Sequence, residues 1–225
     1  MTTGRIEAGI NDAYLVGTVE EKPTLLHNER GYDIYEGVLA VQRRSGEIDH
    51  IPFDGTQDVV GDLRAGEYVS ISGAVRHRDR SAVPAAKRRT VVFADSVSHA
   101  APGWPFQNEI KLSGHVCRLP NFRTTPRGRD LCELSIAVPR GNGPQDYILC
   151  IAWNDMAHVA RNIAVGAAVQ VSGRFQSRVY TKRLANGERE ERFAYEISLS
   201  SVELNIFGFL WIYCILSLDK MQYMG

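Results

Sequence analysis

Asn108 to Val116 reads N-E-I-K-L-S-G-H-V, and Asn11 to Val19 reads N-D-A-Y-L-V-G-T-V. In the downstream stretch Ile110, Leu112, Gly114 and Val116 alternate toward one side, the period-two signature of a strand with one buried face. The shared frame is part of a longer repeat. A shift of 97 residues, Asn11 onto Asn108, also carries Pro23 onto Pro120, Asp33 onto Asp130, Glu36 onto Glu133, Arg43 onto Arg140 and Asp49 onto Asp146. It gives 15 identities over the 41 positions from Asn11 to Ile51 without a gap. Chance would give about two or three, so the chain is read as a duplicated unit.

Further along the shift grows to 100 (Gly73 onto Gly173) and then to 105 (Val97 onto Val202). Insertions belong in loops, which predicts a longer final hairpin in the second copy. Ala100 to Pro105, AAPGWP, is dense in chain breakers and reads as a linker. The expected organisation is a first, divergent domain over 8–99, a second over 106–204, and an apolar tail over 205–225.

In the second copy, 109–118, 130–138, 146–153, 168–180 and 192–204 read as strands, with 119–128 a loop between the first two. Asp155 to Ile163 has a short helical pattern between the third and fourth strands. Asn186-Gly187 marks a hairpin. Five strands with one helix after the third predict an all-β chain of two tandem oligonucleotide/oligosaccharide-binding (OB) barrels, the first copy following in weaker form.

Composition excludes several alternatives. The 225 residues carry 26 Lys+Arg and 26 Asp+Glu, for a net charge of zero, so any nucleic-acid affinity must come from a local patch. The four cysteines (Cys117, Cys132, Cys150, Cys214) show no C-x-x-C spacing and read as reduced thiols. The N-terminus has no signal-peptide core, which predicts a cytoplasmic, nucleoid-associated protein. Ile206 to Leu218 lacks charge but is about 20 Å long as a helix, short of a membrane span. It reads as a cover for an apolar face, a tail docked in an interface, or a non-native reading frame. No phosphate loop, dinucleotide fingerprint, nucleophile elbow or zinc motif is present. Asp130 and Glu133 carry no mark of an acid–base pair, so neither an enzyme nor a cofactor is expected.

Strand parity then says which side chains share a face. Tyr147 and Trp153 are six apart on the third strand, and Arg174, Arg178 and Tyr180 differ by even numbers on the fourth. Val169, Val171 and Phe175 take the core side. Taken together, the N-x-x-x-L-x-G start, the loop Thr125-Pro126-Arg127-Gly128, I-A-V-P-R ending at Arg140, Asp146-Tyr147-Ile148, the mid-strand Trp153 and G-R-F-Q-S-R-V-Y ending at Tyr180 resemble the bacterial single-stranded DNA-binding protein family, including primosomal replication protein N. The resemblance covers 108–204 directly and 11–98 through the repeat. The stretch after Leu204 is apolar where that family has an acidic recruiting peptide.

The resemblance implies base stacking at Tyr147, Trp153 and Tyr180, with DNA replication, repair and recombination as the setting. Arg174 and Arg178 add cations beside them. The loop Phe122, Arg123, Arg127, Arg129, the strand end Arg140, and Lys182 and Arg183 at the last hairpin complete the expected single-strand contact set. Residues 108–204 carry 13 Lys+Arg against 10 Asp+Glu, and 1–107 carry 12 against 15. In the first copy His50, Thr56 and Arg80 stand where the stackers should be, leaving as its basic feature a hairpin with Arg76, Arg78, Lys87, Arg88 and Arg89. The expectation is a second barrel that grips bases and a first that supplies an interface and phosphate contacts. The expected partner is single-stranded DNA, and by analogy the chain forms a homo-oligomer, a dimer of tandem barrels. RNA binding, or a primosome adaptor with weak nucleic-acid affinity, are the alternatives.

Overall fold

The computed structural model describes residues 9–29, 31–78, 89–101, 103–140, 144–183 and 187–204. Each copy has six strands: β1 (Asn11–Val19), β2 (Thr24–Glu29), β3 (Tyr32–Gln42), β4 (Ile48–Thr56), β5 (Tyr68–His77) and β6 (Thr90–His99), then β7 (Gln107–Val116), β8 (Asn121–Thr124), β9 (Asp130–Pro139), β10 (Gln145–Trp153), β11 (Ala168–Arg183) and β12 (Arg189–Leu204). Short helices α1 (Gln57–Val60) and α2 (Asp155–Ala160) follow β4 and β10. In each half five strands close a barrel: β1 pairs with both β3 and β5, and β4 meets β6 in parallel. The second half repeats this with β7–β9, β7–β11 and the parallel β10–β12 pair.

The sixth strand was not legible. β8 lies inside the stretch read as a loop, where Pro120 and Pro126 break the pattern on either side. It pairs with β9 from Asn121↔Glu133 to Thr124↔Asp130, held by Phe122 against the core. The final hairpin is longer in the second copy: β11 and β12 have 16 residues each, β5 and β6 have 10.

Parity explains the cores. Leu15, Leu39, Ile51, Phe53 and Ile71 fill the first barrel, and Leu112, Leu134, Ile136, Ile148, Phe175 and Ile197 the second, all fully buried. Each large side chain contributes roughly 1.5–3 kcal/mol by burial. Cys132 and Cys150 are buried, and burial pushes both thiols above their ordinary range. The repeat's glycine has a steric cause. A Cβ on Gly17 would overlap the Ala40 carbonyl oxygen, and one on Gly114 the Ala137 carbonyl oxygen, because β1 crosses β3 and β7 crosses β9 there to close the barrel.

The repeat's asparagine acts at the seam between copies. β1 and β7 pair antiparallel with Ala13 opposite Ile110, Asn11 opposite Leu112 and Leu15 opposite Asn108. Those pairs map onto each other under the shift of 97, so the seam is a twofold contact built within one chain, and all twelve strands form one sheet. While its backbone serves the seam, the Asn11 amide serves β5: Nδ2 donates to the Val75 carbonyl at 2.9 Å, and Val75 N–H donates to Oδ1 at 2.7 Å. Asn108 does the same for Phe175, both bonds at 2.7 Å.

A second pair of contacts crosses between barrels. Arg43 grips the fully buried Asp49 through two bonds of 2.8 and 2.6 Å. Asp49 accepts the Ser177 N–H at 2.9 Å, and the His50 N–H donates to Ser177 Oγ at 2.8 Å. In the mirror arrangement Arg140 grips buried Asp146, which accepts the His77 N–H at 2.8 Å, while Arg140 donates to the His77 carbonyl at 3.1 Å. Two identities of the repeat, Arg43/Arg140 and Asp49/Asp146, thus form two clamps, each holding the other barrel's hairpin strand. Removing one partner of a buried ion pair strands the other charge, at about 3–5 kcal/mol. Asp49→Ala is expected to lower unfolding free energy by about that much in urea titration; a change under about 1 kcal/mol would show the clamp to be dispensable.

Candidate nucleic-acid interface

The outer face of the second barrel is set by the alternation of β10 from Gln145 to Cys150, beyond which Ile151 is buried as well. Asp146, Ile148, Cys150 and Ala152 point inward and are buried, while Tyr147 and Leu149 are exposed and Trp153 is half-buried on the outer side. On β11, Val169, Val171 and Phe175 face the core and Arg174, Arg178 and Tyr180 face out. Cross-strand register joins these rows: Tyr147 stands opposite Ala137, Ile151 opposite Glu133, Arg174 opposite Ser198 and Tyr180 opposite Arg192. Tyr147 is 58% exposed and Tyr180 39%. The cross-strand neighbour of Tyr147 is the small Ala137.

Trp153 is neither core nor bare. The Arg129 guanidinium lies over its ring, 4.6 Å from the centroid. The loop that presents Arg129 is a tight turn at Thr125–Gly128, with Gly128 at φ +74° and the Arg129 N–H donating to Thr125 Oγ1 at 3.0 Å. Arg127 at its tip is exposed.

Several expected contacts go elsewhere. Arg123 shares the outer face but is paired with Glu133 at 2.8 Å. Phe122, one residue away in a strand, faces the other side; it packs between His158 (5.1 Å between ring centroids) and Arg161 (5.1 Å over the ring). Arg140, read as a groove cation, is committed to the Asp146–His77 clamp. The backbone of Lys182 and Arg183 extends β11 opposite Glu190 and Arg189, so they belong to the strand and do not open a loop. Their side chains lie outside the described residues.

Two carboxylates on this face lie outside the expected contact set: Glu133, read only as carrying no acid–base mark, and Glu196, which was not singled out. Glu133 is held below the ordinary carboxylate range by the Arg123 hydrogen bond. Glu196, opposite Gln176, is buried, and burial pushes its carboxyl up against the pull of Arg178. Even spacing along β12 would have found Glu196, since it shares a face with Ala194 and Ser198. Asp130 is held down by the Thr124 hydroxyl and His158. A depressed carboxyl is the opposite of what a general acid at neutral pH needs.

On the equivalent face of the first barrel the matching side chains are engaged with carboxylates. His50 pairs with Glu20. Arg78 is buried, donating to Asp54 at 2.9 and 2.5 Å and lying 2.9 Å from Glu36. Arg76 reaches Asp146 at 3.3 Å. Two cations expected on a phosphate-contacting hairpin are therefore structural; Arg80, Lys87 and Arg88 lie outside the described residues. Among the described residues no helix is long and apolar enough to cross a membrane.

The fold and this face define an all-β tandem-OB protein with one barrel that displays rings and guanidinium groups together. Residues 107–205 match the Single-strand binding protein family. The chain is 25% identical over 219 residues to the single-stranded DNA-binding protein of Deinococcus radiodurans, covering 82% of this chain and 73% of that one. To the single-stranded DNA-binding protein of Thermus aquaticus it is 26% identical, covering 80% of each. A protein of the same description from Halalkalibacterium halodurans is 32% identical over 103 residues, 43% of this chain. The solved structure of the wild-type Thermus aquaticus protein shares the fold, with a TM-score of 0.68 and 22% identity over 88% of this chain and 93% of that one.

Folded Glu196 favours its neutral form. The stability this gives is fully present below the unfolded carboxyl pKa and is lost as pH rises through the raised folded value. Glu196→Gln is therefore expected to gain stability relative to wild type as pH increases from about 4 toward neutrality, read from thermal melts across that range. A pH-independent difference would refute a buried charge at this position.

Proposed function

We propose that the chain is a non-catalytic single-stranded DNA-binding protein serving replication, repair or recombination. The observation that carries this reading is the gathering of Tyr147, Trp153 and Tyr180 with Arg174 and Arg178 on one outer face. Every base has a π-face, so rings bind bases without regard to sequence, at about 1–3 kcal/mol each. Guanidinium groups between the rings follow the phosphates, and Arg129 over Trp153 supplies both a plane and a charge. The named relatives support the same partner. Two chains would bring four barrels together, so a homodimer acting in the cytoplasm at the nucleoid is the proposed working form.

Titration with oligo-dT is expected to quench tryptophan fluorescence, since Trp153 lies in the contact face. Log affinity falls linearly with log salt, with a slope near −0.7 for each phosphate neutralised. Tyr147→Ala and Tyr180→Ala each weaken binding by about 1–3 kcal/mol, and Thr56→Ala on the first barrel leaves it unchanged. No quench at low salt, combined with tight capture of a protein partner, would replace this reading with that of an adaptor.

A further inference from the structure

The long hairpin of the second barrel has another face. Beyond the barrel end the core parity of β12 continues from Ile197 to Tyr195 to Phe193, and Phe193 stands opposite Val179 of β11. Neither terminal residue is covered: Phe193 is 47% exposed and Val179 52%. Phe193 and Tyr195 stack nearly parallel, 6.1 Å between centroids at 15°. This pair leans on the first barrel. His50 meets the Phe193 ring edge-on at 5.8 Å and 64°. The Arg89 guanidinium lies 5.7 Å from the Tyr195 centroid and donates to its hydroxyl at 3.4 Å.

His50 occupies the position that Tyr147 holds in the second barrel, under the shift of 97. The ring missing from the first barrel's own face is thus supplied from across the seam by Phe193. A cleft of about 290 Å³ adjoins the spot. It shares Arg89 with the Tyr195 contact and Glu20 with the His50 contact, and Lys22 and Glu21 also line it. Tyr180 lies on the opposite face of the same hairpin, one rung away, because the Tyr180↔Arg192 pair follows Val179↔Phe193.

We propose that Phe193 and Tyr195 of the second barrel, with His50 and Arg89 of the first, form a second stacking subsite that takes an unpaired base of the same single strand. The proposal rests on the reading of the chain as a single-strand binder. Phe193 and Val179 face each other across the hairpin with about half of each in water, so the exposed apolar surface is a patch and not a lone side chain, the kind of surface that marks a contact site. An exposed ring stacked on a second ring, with a guanidinium beneath, has the ring-and-cation composition of the Tyr147–Tyr180 face. A strand leaving Tyr180 rounds the hairpin edge to reach Phe193, and the hairpin's extra length puts the ring within reach of the first barrel.

The test compares the full chain carrying Phe193→Leu, which keeps apolar bulk against His50, with Tyr180→Leu. Each is titrated with oligo-dT of about 8 and about 25 nucleotides, below and above the span of one barrel. The expected result is that Phe193→Leu binds the longer oligomer about fivefold or more weakly and the shorter one as wild type, while Tyr180→Leu weakens both. Phe193→Trp places a fluorophore at the spot, and its added emission is quenched by the longer oligomer alone. Wild-type affinity of Phe193→Leu for both lengths, with Tyr180→Leu impaired, overturns the subsite and leaves Phe193 as packing or as a protein contact. An equal loss on both lengths also overturns it, by moving Phe193 into the first face. If wild type itself binds neither oligomer, the failure belongs to the underlying reading and not to the subsite alone.

Discussion

A carboxylate with no access to water must be met by donors on every side, and Asp49 and Asp146 are met from two barrels at once. Each is charge-balanced by an arginine of its own copy and hydrogen-bonded to a backbone N–H of the other. Neither barrel can turn about the β1–β7 seam without stranding one of these charges. The seam alone would be an ordinary strand pairing; the clamps at its flanks make the tandem a body with one geometry. They also act on the functional parts, because Ser177 and His77 sit on the hairpin strands that run beyond the barrels. Arg178 is presented one residue, and Tyr180 three residues, from the Ser177 bonds to the first barrel.

Much of this was legible, and the parts that were not share a cause. Strand parity gave the cores and put Tyr147, Trp153, Arg174, Arg178 and Tyr180 on outer faces, since period-two alternation survives any tertiary context that keeps a strand. The gapless repeat gave two copies of one barrel. It also flagged Arg43, Asp49, Arg140 and Asp146 as identities, but their reason lies across the seam, about 130 residues away for the Asp49–Ser177 bond, and no local pattern encodes it. Arg140 was misread for that reason: an arginine at a strand end is a groove cation or a clamp according to what the other barrel brings. Phe122 was misread because two prolines hid β8, and without the strand its parity could not be assigned. Glu133 and Glu196 fell outside the contact set because attention to cations leaves out the anions that compete for them.

Those anions change how the face works. With Arg123 committed to Glu133 and Glu196 set near Arg178, the surface is a mixed field in which aromatic planes carry a larger share of contact than net charge does. This is consistent with a chain of zero net charge whose second barrel is only slightly basic. Stacking is less sensitive to salt than counterion release, and duplex hides the base planes that stacking needs, so under the proposed function a ring-led face favours unpaired bases.

The divergence of the copies comes down to what stands beside one arginine. Arg78 and Arg178 are equivalent under the shift of 100, and Glu36 and Glu133 under the shift of 97. Across from each glutamate the first barrel has Asp54 and the second Ile151. Asp54 pulls the Arg78 guanidinium inward into a bidentate pair, and burial follows, with the acid's own carboxyl pushed up by the desolvation that results. Ile151 offers Arg178 nothing, and Arg123 already holds Glu133, where the first copy has Leu26 at the matching position. Arg178 is therefore left pointing to solvent beside Tyr180. A single carboxylate on the fourth strand thus turns an exposed cation into a structural one, and the two barrels differ in what they display because of it.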